Sequence, residues 1–183
     1  RDPYAGLAMI RTAEAVAAEL GVTKEECDAV TALRHAQYRD ALSGGGAFHR
    51  GYIHPVEAAA GKKRRVSLAA DEGVHPALPE TLAALPPAVE GGVHSYAAQT
   101  HPADGHGAAV VATREIARRL SADPSVEVAL VSHGYARVEK GRMPRALAPA
   151  ARMALGRAGL GWKDLAAVKT HNPFAVNDLC FAR

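Results

Sequence analysis

The stretch "AAVKTHNPFAVNDLCFAR", residues 166–183, decides the fold class that the sequence predicts. Its apolar start, Ala166–Val168, is typical of a buried strand, and a helix is predicted from about Phe174. An imidazole, an amide and a proline occupy the intervening turn at 171–173. Loops that follow the strands of an open α/β sheet commonly bind ligands. The stretch therefore predicts an α/β fold with a polar candidate site at this turn.

The preceding segments continue the alternation of strand and helix. An apolar run and an amphipathic pattern follow each other twice more before residue 166, which favours a layered α/β arrangement with parallel or mixed strand pairing. The predicted strands are "AAVVA" (108–112), "VEVALVSHGYA" (126–136) and "LAAVKT" (165–170), and the predicted helices are "REIARRL" (114–120) and "ALAPAARMALGRAG" (146–159).

The first half of the chain is richer in helix. A short helix over 11–20 is predicted to stop at Gly21, and Thr23 with Glu26 forms a capping-box signature for a longer second helix. Two short strands or extended arms are expected around the basic run "GKKRRVS" (61–67), followed by a brief proline-bounded helix. A boundary near residue 90 divides the chain into a helix-rich region, 1–90, and an α/β region, 91–183.

Composition narrows the classes of protein. The 183 residues are 48% hydrophobic and 22% charged, typical of a globular domain, and lack the run of roughly 20 apolar residues that a membrane span needs. We expect a cytoplasmic protein with no membrane association. The net charge of +3 depends heavily on one basic run without interleaved aromatics, so nucleic-acid binding is not predicted. Cys27 and Cys180 are predicted to be reduced structural thiols.

Two other polar stretches leave alternatives open. "THPADGHG" (100–107) offers His101, Asp104 and His106 as metal ligands, acid/base groups, a ligand-gripping loop or an ordinary turn. No recurrent zinc spacing is present, so no metal site is predicted. His133 follows a predicted strand, as His171 does, and neighbouring strand ends favour a shared site. The residues alone therefore indicate a polar site at adjacent strand ends.

Four segments, in order, resemble the thiolases, the acyl-CoA acetyltransferases. Residues 8–42 are similar to the family pattern M-G-x-T-A-E-N-V-A and the helix after it, and 64–89 resemble the lid stretch with its Asp-Glu pair. Residues 97–120 are similar to T-A-G-N-A-S-G-x-N-D-G-A-A-A. Residues 142–178 resemble the segment that ends in N-E-A-F-A. The resemblance covers nearly the whole chain.

This resemblance implies a thiolase-like layered α/β piece with a helix-rich lid region. Residues 1–90 would hold the lid, and 91–183 would hold the end of the N-terminal half and the start of the C-terminal half. Thiolases are about twice as long as this chain, so the resemblance implies an internal piece of a longer enzyme. The family's nucleophilic cysteine, general-base histidine and second cysteine would lie outside it, and we expect no turnover by these residues alone.

The family's functional residues carry over to specific positions. His171 falls on the residue that holds an oxyanion-hole water, with Asn172 in place of the family's Glu and Phe174 on its Phe. Met9 and Met143 fall on methionines of the acyl pocket, and Thr81 lies where a lid residue approaches coenzyme A. The catalytic expectations are therefore His171 and Asn172. The expected substrate or coenzyme A contacts are Met9, Thr81, Thr100, His101, Met143 and Phe174.

The resemblance implies thiolytic cleavage or Claisen condensation of 3-ketoacyl-CoA. Coenzyme A would be a substrate, with no tightly bound cofactor, and the full-length enzyme would be a homodimer or homotetramer. Departures from the family include Thr100 and Pro102 in the pantetheine-contact motif and Val74 at a nucleotide-binding Arg. These departures leave open a non-catalytic thiolase-like partner subunit or a coenzyme-A-binding module.

Overall fold

The computed structural model describes residues 1–61, 64–101, 103 and 105–183. Most of the regular structure is helical. The helices are α1 (Met9–Leu20), α2 (Lys24–Ala41), α3 (Ser43–Arg50), α4 (Pro79–Ala84), α5 (Arg114–Leu120), α6 (Leu147–Ala158) and α7 (Ala175–Ala182). Short 3-10 turns occupy Tyr96–Ala98, Met143–Ala146 and Trp162–Asp164.

Two strands, β1 (Val56–Ala60) and β2 (Arg64–Leu68), pair antiparallel. Val56 lies opposite Leu68, which fixes the register of the pair. The prediction of two short strands around the basic run is confirmed, although positions 62 and 63 of that run lie outside the described residues. Isolated two-stranded ribbons are marginally stable in water, and the residues of β2 are mostly exposed.

Local capping signals set the helix ends as predicted. The Thr23 hydroxyl accepts the Glu26 amide at 3.3 Å, while the Glu26 carboxylate accepts the Thr23 amide at 2.9 Å. This capping box begins α2. Gly21 ends α1 in the left-handed conformation, at φ 61°, which glycine adopts without steric cost. These two helix ends were therefore predictable from short-range sequence, whereas α2 ends at Ala41, before the predicted stop at glycines 44–46, and α3 was not predicted.

The buried core lies where α1 and α7 meet the loop before residue 99. Ala13, Val16 and Ala17 of α1 are fully buried, and Val176 of α7 is fully buried with them. α2 packs against both α7 and α4. The Lys24 ammonium donates to the Leu82 carbonyl at 2.9 Å, which joins the start of α2 to α4. The two halves separated near residue 90 thus share one core.

The strands predicted over 108–112, 126–136 and 165–170 are wrong for this structure. In the described part of the chain, β1 and β2 alone form a ladder, and these three segments carry no strand assignment. Their apolar side chains face solvent: Val110 is 81% exposed and Val128 is 92% exposed. A strand is stable only when a partner fills its ladder, and none of the described segments does so here.

One part of the 126–136 segment is nevertheless fixed against α6. The Ser132 hydroxyl donates to the Ala154 carbonyl at 2.6 Å, and Arg157 donates to the His133 carbonyl at 3.0 Å. A Cβ added at Gly134 would lie 2.2 Å from the Ala150 carbonyl oxygen. Only glycine permits this close approach, so the segment keeps its place beside α6 without forming a sheet.

The solvent-accessible surface area is 13488 Å² for a mass of 19.1 kDa. Compact monomers of that mass expose about 8,400 Å² by the usual scaling of surface with mass. The excess is consistent with the uncovered apolar segments. Among the described residues, no helix combines the length and the apolar character that crossing a membrane requires.

Candidate functional site

The turn at 171–173 is joined to the loop at 100–101, which lies about 70 residues earlier in the sequence. The Thr100 amide donates to the Pro173 carbonyl at 2.8 Å. Next to it, Gln99 and Phe174 form an isolated antiparallel bridge. The loop at 100–101 and the turn at 171–173, which are far apart in the sequence, therefore form one structural unit.

This unit forms one wall of a cavity of about 560 Å³. Four of the predicted site residues line the cavity: Thr81, Thr100, His101 and Asn172. They come from α4, from the 99–101 loop and from the turn before α7. These four positions therefore lie together in the structure, and their chemical roles stay predictions.

Further polar side chains line the same cavity and were not predicted. They include Arg34, His35, Tyr38, His75 and Asp178. The His101 imidazole packs against Gly73, since a Cβ added there would lie 3.4 Å from its Nε2. This contact joins the 99–101 loop to the 73–77 segment on the opposite wall.

Asp178 holds the turn from within α7. Its carboxylate accepts hydrogen bonds from Thr170 Oγ1 at 3.0 Å, Asn172 Nδ2 at 3.1 Å and Arg34 Nε at 2.8 Å. Arg34 also donates to Gln37 within α2. The Asn172 amide is thereby committed to a structural contact, and its donor is directed towards Asp178.

A second set of contacts supports the turn from the core side. The Glu14 carboxylate accepts the amides of Val93 and His94 at 2.9 and 3.0 Å. A Cβ at Gly92 would lie 2.5 Å from that carboxylate, so a side chain there would displace the Glu14 carboxylate from this position. The fully buried His94 imidazole accepts the Val176 amide at 3.3 Å and meets the Phe174 ring edge-on.

The other predicted site residues lie away from the cavity. His171 is exposed and is not part of the cavity lining, although its neighbour Asn172 is. Met9 is half-buried at the start of α1 and packs against the core, while Met143 is exposed in the 3-10 turn that packs against α1. Phe174 is buried beside His94, 8% exposed, and its neighbour Ala175 lines the cavity instead.

The metal alternative gains no support. Asp104 lies outside the described residues, and within the residues that are described no group of three or more His, Cys, Asp or Glu side chains is arranged to hold a metal ion. His133 contacts α6 through its carbonyl and is not among the residues that line the 560 Å³ cavity. The idea of a site shared by His133 and His171 is therefore not supported.

Neither cysteine has the environment of a nucleophile. Cys27 is fully buried, and burial raises the pKa of its thiol to about 12, with the Glu14 and Asp28 carboxylates adding to the effect. Burial also raises the pKa of Cys180. A catalytic thiolate needs the opposite shift, so the interpretation of both as reduced structural thiols is supported.

The pKa of Cys27 predicts a loss of stability at alkaline pH. The unfolded thiol ionises above about pH 8.5, whereas the folded thiol keeps its proton to about pH 12. The free energy of unfolding should therefore fall as pH rises through this window, by up to about 1.4 kcal/mol per pH unit. Urea unfolding at pH 8 and pH 10 should show that the free energy of unfolding falls less in a Cys27→Ala variant than in the wild type. Equal falls in the two proteins would contradict the raised pKa of Cys27.

Sequence reasoning missed Glu14, His94 and Asp178. Glu14 falls on the Glu of the thiolase pattern M-G-x-T-A-E-N-V-A, and this match was the sequence signal that could have identified it. His94 and Asp178 follow no local pattern, because their partners lie far away: Asp178 and Arg34 are 144 residues apart. Only the packing of α7 on α1 and α2 brings these groups together.

Comparison with known proteins gives matches along the whole chain. It is 30% identical over 183 residues to an acetyl-CoA acetyltransferase of Syntrophomonas wolfei, and 29% identical over 184 residues to the human mitochondrial 3-ketoacyl-CoA thiolase. All of this chain is matched in both cases, and the chain spans 45% of the length of each relative. No family model matches the chain.

Solved structures agree with the sequence matches. The human mitochondrial 3-ketoacyl-CoA thiolase superposes with a TM-score of 0.81 at 26% identity, over 96% of this chain and 43% of that structure. The Syntrophomonas wolfei acetyl-CoA acetyltransferase superposes with a TM-score of 0.79 at 27% identity, over 98% of this chain and 44% of that structure. The fold class is therefore confirmed as a thiolase-like α/β piece, rich in helix with a small sheet, and this 183-residue chain is similar to thiolases over its whole length in both sequence and fold.

Proposed function

We propose that this chain is part of an acyl-CoA C-acyltransferase that cleaves 3-ketoacyl-CoA by thiolysis or forms it by Claisen condensation. The observation that carries the proposal is the junction of two family motifs at one cavity. The Thr100 amide bonds to the Pro173 carbonyl, and Thr81 lines the same cavity. The relatives matched over this chain are named for this chemistry.

The cavity suits part of a thioester substrate. Its volume of about 560 Å³ falls within the range of small-molecule sites, which are mostly apolar with a few placed polar groups. Leu82, Leu85 and Val30 supply apolar wall, and the Thr81 and Thr100 hydroxyls supply hydrogen-bonding groups. A pantetheine arm, an apolar chain with two amides, matches this arrangement. Coenzyme A would then enter and leave as a substrate.

The chemical step needs groups that these residues do not supply. Acyl transfer through a thioester requires an activated thiol and a base, and the raised pKa values of Cys27 and Cys180 disfavour both thiols. The contribution proposed for this chain is the support of negative charge: exposed His171, at the turn held by Asp178, would face the enolate oxygen. Met9, Met143 and Phe174 stay predictions for the acyl pocket.

The finer proposals follow from the same similarity to thiolases. Residues 1–90 are assigned to the lid region, and 91–183 to the end of one thiolase half and the start of the next. A homodimer or homotetramer is proposed for the full-length enzyme. One observation favours a non-catalytic partner subunit as the second candidate: Asn172, in place of the family's Glu, has its amide committed to Asp178.

Filling the cavity tests the substrate site. In the full-length protein, a Thr81→Trp variant should weaken coenzyme A binding at least about tenfold, because the indole occupies the cavity. Glu80→Trp is the matched control, since Glu80 is the exposed neighbour on α4 and does not line the cavity. Titration calorimetry gives both dissociation constants, and equal binding by the two variants would exclude this cavity as the coenzyme A site.

Thiolysis of acetoacetyl-CoA separates the two candidate functions. The full-length protein should consume acetoacetyl-CoA in the presence of coenzyme A, and Thr81→Trp should raise KM more than it lowers kcat. Binding of coenzyme A without turnover would favour the partner subunit. Turnover by the 183 residues alone would contradict the assignment of nucleophile and base to other segments.

A further inference from the structure

His94 is a fully buried histidine that lies outside the four segments that resemble thiolases. It lies in the loop before Tyr96 and is 82 residues from Val176, the α7 residue to which it bonds. Its Nε2 is 3.3 Å from the Val176 amide nitrogen, and its Nδ1 is 3.1 Å from Glu14 Oε1. The ring therefore bridges α1 and the first turn of α7.

The contact with Val176 fixes the protonation state of the ring. A backbone amide can only donate, so Nε2 must carry a lone pair and the proton of the neutral ring must lie on Nδ1. Nδ1 then faces Glu14, although the geometry of that contact falls short of a hydrogen bond. Burial lowers the pKa of His94 while Glu14 opposes the shift, which favours the neutral ring.

Val176 is one of the residues whose amides have no partner inside the helix. The first four N–H groups of an α-helix need outside acceptors, which an N-cap side chain commonly provides. The residue at the N-cap of α7 is Phe174, which has no side-chain acceptor. The Asn177 side chain accepts the Phe174 amide, and the His94 imidazole accepts the Val176 amide.

The start of α7 also sets the position of the candidate site. The turn at 171–173 leads directly into the helix, and the Pro173 carbonyl accepts the Thr100 amide at 2.8 Å. A shift at Val176 would therefore be transmitted to His171 and to the 99–101 loop together. The Phe174 ring packs edge-on against His94, with centroids 5.8 Å apart, so the imidazole also fixes the side-chain packing under the turn.

We propose that His94 is a positioning residue: as a neutral Nδ1–H imidazole held beside Glu14, it caps α7 and sets the place of the 171–173 turn in the acyl-transfer site. The proposal rests on the proposed thiolase function, although the capping contact itself does not. His94 touches the turn only through α7 and Phe174, and it would act on the rate through His171.

Kinetics in the full-length protein test the positioning role. His94→Leu removes the acceptor, and a misplacement of about 1 Å at a reacting group can lower the rate roughly 100-fold. We expect kcat for acetoacetyl-CoA thiolysis to fall 10- to 100-fold with KM changed less than threefold. His94→Gln, whose carbonyl can accept the Val176 amide, should recover most of the rate. Ser95→Ala, at the neighbouring buried residue, should keep kcat within twofold.

A spectroscopic measurement keeps the proposal testable if His94→Leu does not fold. Nitrogen NMR of protein labelled at histidine should show a neutral His94 with the proton on Nδ1, and His94→Gln identifies the signal. A proton on Nε2, a charged ring at pH 7, or unchanged kcat in a folded His94→Leu variant would each overturn the proposal. If the wild-type protein lacks thiolysis while the Nδ1–H signal is present, the proposed function fails and the capping contact stands.

Discussion

A Glu14→Ala variant is expected to lose about 3–5 kcal/mol of folding free energy. The carboxylate accepts two adjacent backbone amides, from Val93 and His94, at 2.9 and 3.0 Å, and only 12% of its side chain is exposed. Hydrogen bonds to a charged group contribute about 1.5–3 kcal/mol each, and a buried backbone amide left without an acceptor adds a desolvation cost. The loss should appear in urea unfolding followed by circular dichroism.

Glu14→Gln is the matched control for this loss. The amide keeps the shape and one acceptor oxygen but presents an N–H group to the second backbone donor, so the expected loss is smaller, about 1–2 kcal/mol. Folding stability should therefore decrease from the wild type to Glu14→Gln and from Glu14→Gln to Glu14→Ala. A loss below about 1 kcal/mol in Glu14→Ala would show that the 92–94 segment does not depend on this carboxylate.

A Phe174→Ala variant should be destabilised to a similar extent, by about 3–5 kcal/mol. The ring is 8% exposed and packs among Ala98, Val176 and the His94 ring. Truncating a buried phenylalanine removes its transfer free energy and leaves a cavity, which accounts for a loss of this size. The same urea titration measures it, and an exposed aromatic, Tyr4→Ala, should cost less than about 0.5 kcal/mol.

Phe174→Leu separates packing from substrate recognition. It should cost about 1–2 kcal/mol, because leucine refills much of the volume. Since Ala175 lines the cavity and Phe174 does not, coenzyme A affinity should stay within about twofold of wild type. A change in acyl-CoA preference in this stable variant would instead support the family-based expectation that Phe174 shapes the acyl pocket.

The helices were predictable because the signals that define them are local. The capping box of Thr23 and Glu26, the left-handed Gly21 after α1 and Gly159 after α6 each act within one or two turns. The predicted helix start near Phe174 agrees with α7 for the same reason. Such signals depend on neighbouring residues in the sequence and not on the rest of the fold.

The strands over 108–112 and 126–136 were not predictable as sheet from the same kind of evidence. Their apolar content is typical of a strand that is buried on both faces, but a ladder depends on a partner elsewhere in the chain. Among the described residues that partner is missing, and Val128 is 92% exposed. The sequence pattern thus indicates that these segments favour burial, but it does not identify the strand that would pair with them.

The candidate site likewise combines features that depend on neighbouring residues with contacts that depend on tertiary packing. The sequence by itself determined the resemblance to thiolases, the helix ends marked by Gly21, Thr23 and Gly159, and the identity of the turn "THNPF", because these depend on neighbours in the chain. Only the tertiary structure decided that Thr100 bonds to Pro173, that Asp178 holds Asn172, and that His94 caps α7. The first and third of these contacts join residues more than 70 positions apart and depend on how distant segments pack around α7, which no local pattern encodes, whereas the Asp178–Asn172 contact spans six residues.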